Sequence, residues 1–337
     1  MNVGIVGAGN ISDTHARAAH AAGLRVVAVF GDNRHKTAEL ARRFGATAFD
    51  TLDALLQHPS LDTVVIGSPS GCHAQQAAAA ARSGRHVLVE KPLDISTARV
   101  DALLEEVGRA GVTLGIFFQD RLKPDVVSMK RQIDAGEIGT PVLATGEVKW
   151  WRPPDYYASS RWRGTWALDG GGALMNQGIH TLDVMLHLLG PVRRVSGLIA
   201  TRFHAIETED TAIATLEFAS GALATIEATT AACPGRLRRL EIVGSAGTLL
   251  LEGDRLASVA SASEAALAVS RNAAENTTSP IVSDVSAHQR IIEDFVDAIR
   301  TGRPPVCDGR EARRSVEVVE AVYRSARDKT AIHLPAS

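Results

Sequence analysis

Apolar residues in the first third of the chain come in short unbroken runs, at residues 3–6, 26–30, 46–49, 63–67, 86–90 and 113–118. Runs rich in Val and Ile, without polar alternation, suit strands covered on both faces of a parallel sheet. Between them lie stretches with helical spacing, at 11–22, 34–44, 51–57, 73–83 and 96–110. Such alternation predicts a doubly wound α/β sheet. Past residue 118 the pattern changes. Residues 170–189 open on three glycines and carry the apolar spacing of a helix. Period-2 runs then follow at 211–218, 222–229, 239–243 and 248–252, with turns at Ser220-Gly221 and at 244–247. This part reads as an α+β domain on a mainly antiparallel open sheet.

Two amphipathic helices close the chain. One aligns Val285, Ile291, Ile292, Phe295, Val296 and Ile299; the other aligns Val316, Val319, Val322 and Tyr323. The Ala/Ser/Asn-rich stretch 257–283 reads as a surface loop. The expected division is a dinucleotide-binding Rossmann domain over 1–120 and an α+β domain for substrate and oligomer contacts over 121–337.

Composition removes several function classes. A formal net charge of −2 over 337 residues, with no basic tract, leaves no footprint for nucleic acid or an anionic membrane. No run is long enough to cross a bilayer, and the start MNVGIVGAGN reads as a strand rather than a signal peptide. Three scattered cysteines, Cys72, Cys233 and Cys307, argue against a disulfide framework and for a reduced, cytoplasmic setting.

The first candidate chemistry sits where the first strand meets the first helix, in Gly7-Ala8-Gly9-Asn10-Ile11-Ser12. Gly7 permits the tight turn, and Gly9 lets main-chain amides approach a pyrophosphate at the positive helix end. Asp32, just past the second strand, is placed to accept from a ribose 2′-hydroxyl; Asn33, Arg34 and Lys36 would instead meet a 2′-phosphate. NAD is the expected cofactor, with NADP the alternative, and Asp32 as a mere helix cap is the bland reading. The fourth long strand ends in Glu90-Lys91-Pro92, and strand carboxyl ends face the ligand crevice of such a sheet. In the later helix Asn176 and His180 stand one turn apart, and an imidazole is suited to taking a hydroxyl proton near neutral pH. His180, Asp183 and His187 match no zinc spacing, so no metal is expected. Trp150, Trp151, Tyr156, Tyr157, Trp162 and Trp166 cluster with Arg152, Arg161 and Arg163, a composition that stacks on sugar faces and binds carboxylate or phosphate. A subunit interface would use the same residues.

Together GIVGAGNIS, Ser68-Pro69, Glu90-Lys91-Pro92, the segment ending Gly178-Ile179-His180-Thr181-Leu182-Asp183 and HQRIIEDFVDAIRTGRPP resemble the Gfo/Idh/MocA family over nearly the whole chain. The resemblance implies an NAD(P)-dependent dehydrogenase acting on a secondary hydroxyl of a sugar, sugar acid, nucleotide sugar or cyclitol. It implies His180 as general base and Lys91 as the group that holds the reacting oxygen, the two converging beside a bound dinucleotide. Ser68, Pro69, His73, Glu90, Lys91 and Gln119 join Gly7, Gly9, Asn10, Ile11, Asp32 and Asn33 as cofactor contacts. Gln119, Arg121, Trp162, Arg163 and Asn176 join the catalytic pair as substrate contacts. Many members carry Asp where Asn176 stands, so Asn176 reads as a hydrogen-bonding orienter. WRGTWALDGGGALMNQGIH is most similar to the branch acting on nucleotide-linked N-acetylglucosaminuronate. A homodimer or homotetramer through the open sheet face is the implied assembly. The rivals are an NAD-dependent glycoside hydrolase on the same scaffold and a non-catalytic NAD(P)-binding regulator.

Overall fold

The computed structural model describes residues 1–261 and 284–335. The chain divides into two compact units, the first built from 1–119 with 280–313 and the second from 120–279 with 314–337.

The first unit runs β1 (Asn2–Val6), α1 (Asn10–Ala21), β2 (Arg25–Phe30), α2 (Arg34–Phe44), β3 (Thr47–Phe49), α3 (Leu52–Leu56), β4 (Thr63–Ile66), α4 (His73–Arg82), β5 (His86–Val89), α5 (Thr97–Ala110) and β6 (Leu114–Ile116). All six strands are parallel, in the order β3-β2-β1-β4-β5-β6. The order reverses between β1 and β4, where such sheets open their ligand crevice. Local chemistry sets the helix ends. The Asn33 side chain accepts from the Lys36 amide to start α2, and Gly45, at φ 65°, stops it. Gly111, also at φ 65°, ends α5.

The second unit contributes α6 (Pro124–Asp134), β7 (Pro141–Lys149), α7 (Pro154–Ala158), α8 (Ile179–Leu189), β8 (Val192–Ala200), β9 (Thr211–Phe218), β10 (Leu223–Thr229), β11 (Arg239–Gly244), β12 (Gly247–Glu252) and β13 (Arg255–Ser261). Then follow α9 (Ser286–Thr301), α10 (Gly309–Asp328) and β14 (Ile332–His333). The second sheet is ordered β13-β12-β11-β7-β10-β9-β8-β14; β7 and β10 pair in parallel and the other pairs are antiparallel. Alternating burial along β9 and β10 gives one face to the core. On that face Gly146 leaves room for Met185 and Thr181 of α8.

Three expectations change. Residues 284–313 belong to the first unit rather than to the domain expected over 121–337, because α9 lays Ile291, Ile292 and Phe295 into its core. Residues 257–261, expected in a loop, belong to β13, and the rest of that expected loop lies outside the described residues. The 170–189 segment is not α-helical from its start: Ala173–Gly178 forms a π-helical turn, which leads into α8. Among the described residues, no helix is long and apolar enough to cross a membrane.

Candidate functional site

The glycine turn of the first unit fits a dinucleotide. Gly7 holds φ at +108°, and a Cβ there would lie 2.6 Å from the Gly67 carbonyl oxygen, so the ends of β1 and β4 close to backbone contact. A Cβ at Gly9 would meet nothing within 4 Å. No side chain caps α1 at Gly9, so its exposed N-terminus offers main-chain amides and the positive end of the helix dipole. Ser12 Oγ and Gln119 Oε1 are buried without a hydrogen-bond partner, polar atoms of the kind a bound ligand can satisfy. Asp32 is exposed just past β2, and Asn33 rather than Asp32 caps α2, which leaves the Asp32 carboxylate free of the capping role. Arg34 pairs with Asp50 at 3.1 Å on the surface.

Around the β4 and β5 ends, Ser68 Oγ donates to Gln76 at 2.6 Å. The buried His73 ring places Nδ1 2.7 Å from the Pro92 carbonyl oxygen and Nε2 2.9 Å from that of Ser68. It thereby ties the Ser68-Pro69 turn to the Lys91-Pro92 turn, whose peptide bond is cis. Lys91 is half-buried. Glu90 accepts from the Lys91 amide at 2.9 Å through Oε2 and meets His15 Nε2 at 3.0 Å through Oε1. Burial pushes its carboxyl up, but the His15 hydrogen bond and charge, with the charges of Lys91 and His288, outweigh it and hold Glu90 at about 2. A carboxyl depressed from 4.5 to about 2 gives stability that is complete above 4.5 and lost as pH falls through 2. Acid titration followed by circular dichroism should therefore show an acid-induced loss, on the order of 3 kcal/mol between those limits, that Glu90→Gln lacks. Identical acid profiles would remove Glu90 as its source.

In the second unit the π-helical turn carries Asn176 and the first turn of α8 carries His180, both half-buried. π-turns are rare and recur at functional sites. The buried Asp169 accepts from Asn176 Nδ2 at 2.7 Å and from the Gly164 amide at 2.9 Å. Gln177 Nε2 meets Asn176 Oδ1 at 3.3 Å, so both ends of that amide are oriented. Glu209 braces the turn from below, accepting from the amides of Gly172 (2.8 Å) and Leu174 (2.9 Å) and from the Tyr323 hydroxyl (2.9 Å). Burial pushes the Asp120 carboxyl up, but the positive charges of Arg238, Lys123 and His180 outweigh it and hold Asp120 well below the usual range.

The aromatic cluster does not form one surface. Arg152 lies over Trp150 (5.1 Å) and Tyr156 (5.3 Å), and Arg163 over Tyr156 (4.2 Å) and Trp162 (5.6 Å), a stack that also receives Gln177 on the Tyr156 hydroxyl. Trp151 packs instead on Phe203, and Trp166 on Tyr323. Arg121, expected at the substrate, is 2% exposed and gives two N–H donors to Asp183 at 2.7 Å each. With Ser315 on the same carboxylate it braces α8, and its placement lends no support to a substrate role. Sequence reasoning missed Asp169, Glu209, His15 and His288; only Asp169, inside the glycine-rich segment, carried a local signal.

The two units also match known families. Residues 1–118 match an oxidoreductase family with an NAD-binding Rossmann fold, and residues 126–250 the GFO/IDH/MocA C-terminal domain. D-xylose 1-dehydrogenase (NADP(+)) 2 of Haloferax volcanii is 30% identical, over 86% of this chain and 85% of that protein. The chain belongs to the Gfo/Idh/MocA family. Myo-inositol 2-dehydrogenase of Thermotoga maritima is 25% identical over 99% of this chain and 98% of its own. The WlbA dehydrogenase of Bordetella pertussis, solved with NADH and UDP-GlcNAcA, superposes with a TM-score of 0.88 at 32% identity, covering 100% of this chain and 99% of that one. As a Gfo/Idh/MocA protein this chain is an oxidoreductase with an NAD-binding Rossmann fold.

Proposed function

We propose that the protein oxidises a secondary hydroxyl of a sugar-like substrate, with a nucleotide-linked uronic acid as the preferred class. The observation that carries the reading is the glycine turn on the same carboxyl edge of the parallel sheet as the Lys91 strand end, in a chain whose relatives bear the names of sugar and cyclitol dehydrogenases. Gly7, Gly9, Asn10, Ile11, Asp32, Asn33, Ser68, Pro69, His73, Glu90 and Gln119 hold or shape the cofactor site. When bound, NAD supplies the carbon that accepts the hydride.

His180 takes the hydroxyl proton, and the Lys91 ammonium hydrogen-bonds the same oxygen as its carbon loses hydride and becomes a carbonyl. Asn176, its amide oriented by Asp169, hydrogen-bonds the substrate. Trp162 and Arg163 offer a ring to a sugar face and a planar cation to a carboxylate or phosphate. The WlbA complex with UDP-GlcNAcA favours the nucleotide-linked acid among the candidate classes.

The test is a panel of sugars, uronates, cyclitols and nucleotide sugars, scored by NADH and NADPH absorbance. Net reduction of the cofactor is expected with at least one class. Glycoside cleavage with no net redox change would move the protein to the hydrolytic reading instead. In the same assay Asp32→Ala should weaken NAD by about tenfold, the effect of losing a hydrogen bond to a charged acceptor. NAD affinity unchanged, with NADPH weakened by Arg34→Ala, would assign NADP.

The sheet face away from α8 presents Leu198 beside Ile213 and Leu143 beside Leu223, all at least 45% exposed. Exposed apolar pairs on a broad sheet fit a subunit contact, and a homodimer or homotetramer in the cytoplasm is the assembly we assign.

A further inference from the structure

Glu90 directly precedes Lys91 in the chain, and its carboxylate reaches into a buried cluster of imidazoles. Its Oε1 lies 3.0 Å from His15 Nε2 on α1 and 4.0 Å from His288 Nε2 on α9. The His15 ring stacks on Phe117 at 4.3 Å and 12°, and His288 tilts against both rings at 5.9 and 5.6 Å. His15 is also wedged against the strand end, since a Cβ on Gly67 would lie 3.1 Å from its Nδ1. All three side chains are buried, at 0%, 6% and 2% exposure for His15, Glu90 and His288. Three elements of the first unit thus close on one carboxylate, whose other oxygen accepts from the Lys91 amide.

An ionised carboxylate is costly to bury unless it is paired and hydrogen-bonded, and apolar residues of similar size often pack as well or better. Packing alone therefore does not account for the cluster. We propose that Glu90 is a positioning residue: held by His15 and His288, it fixes the main chain at Lys91 and keeps the Lys91 amine charged. The inference rests on the reading of Lys91 given above. The half-buried amine loses hydration, which favours its neutral form, and an adjacent negative charge restores the ammonium. The charged and titratable groups that face Glu90 are His15 from α1, His73 from α4, His288 from α9 and Lys91 itself, with Asp94 beyond His73. His73 ties down the far side of the same turn through the Pro92 carbonyl.

Glu90→Gln keeps the shape and removes the charge. Its kcat at saturating cofactor should fall ~10- to 100-fold, the scale of a small misplacement of a reacting group, and an NADH fluorescence titration sets the concentration that saturates it. The alkaline limb of its kcat–pH profile should also move to lower pH, because Lys91 loses a neighbouring negative charge. Glu90→Asp keeps the charge and shortens the arm, so it should lose kcat but hold the limb in place; it also supplies a reading if Glu90→Gln does not fold. Wild-type kcat and limb in Glu90→Gln, beside an inactive Lys91→Ala, overturn the proposal and leave the role of Lys91 intact. An active Lys91→Ala overturns that role first. The three ligand atoms also lie within 4.8 Å of one another. One equivalent of a divalent metal in purified wild type, absent from Glu90→Gln, would reassign the cluster as a metal site and overturn the positioning role.

Discussion

Lys91→Ala should lower kcat by about 10³-fold, roughly 4 kcal/mol of transition-state stabilisation, the scale of removing one hydrogen-bond donor from a developing oxyanion. The protein should remain folded and still bind NADH, because the proposed reading assigns the cofactor's phosphates to the Gly7–Gly9 turn and the start of α1 rather than to this amine. Steady-state kinetics with calorimetric NADH titration separate the two effects. Turnover within tenfold of wild type would remove Lys91 from the chemistry.

Gly172→Ala should produce the largest structural effect. A Cβ on Gly172 would sit 1.7 Å from the Glu209 carbonyl oxygen, far inside any tolerated contact. No flexible side chain can yield there, because the obstacle is the backbone just ahead of β9. The main chain must shift, and with it the two amide bonds from Gly172 and Leu174 to the Glu209 carboxylate. Overpacking together with breaking a buried hydrogen-bond network places the cost at about 3 kcal/mol or more. For a unit of this size that is a fall in Tm of roughly 6–12 °C. Because the π-helical turn hangs from these bonds, Asn176 and His180 should move and kcat should fall with Tm. Scanning calorimetry and kinetics on one preparation check both; an unchanged Tm would show that the turn relaxes without cost.

Residues whose role is set by neighbours in sequence were legible. The alternation over 211–218 gave β9 its observed limits, and Arg34–Phe44 emerged as the helix its spacing implied. Gly7 could be read because the tight glycine turn that opens such a sheet's first helix calls for positive φ, which glycine adopts without penalty. Both β7 and β8 were passed over, although the alternating burial of β7 from Ala144 to Lys149 was written in the chain, as was α6, with Pro124 at its first position. Other features had no local signal. The π-turn differs from an α-turn by one residue per hydrogen-bonded loop, which apolar spacing over six residues cannot resolve. Glu90 depends on partners 75 positions upstream at His15 and far downstream at His288. Arg121 resembled a substrate ligand in sequence because nothing near it announces Asp183, 62 positions away.

The return of 280–313 to the first unit also shapes how the protein is made. Gly115 has no side chain because the Phe295 ring occupies that space, with its Cδ2 2.8 Å from where a Cβ would be. While the ribosome is still adding the second sheet, that ring does not yet exist, and the apolar patch it covers is bare. At ~5–20 residues per second the wait lasts roughly 9–35 s. Over that interval the nascent Rossmann sheet is a client for holdase chaperones, and a gene truncated after residue 119 should yield an insoluble product rather than a miniature NAD-binding module.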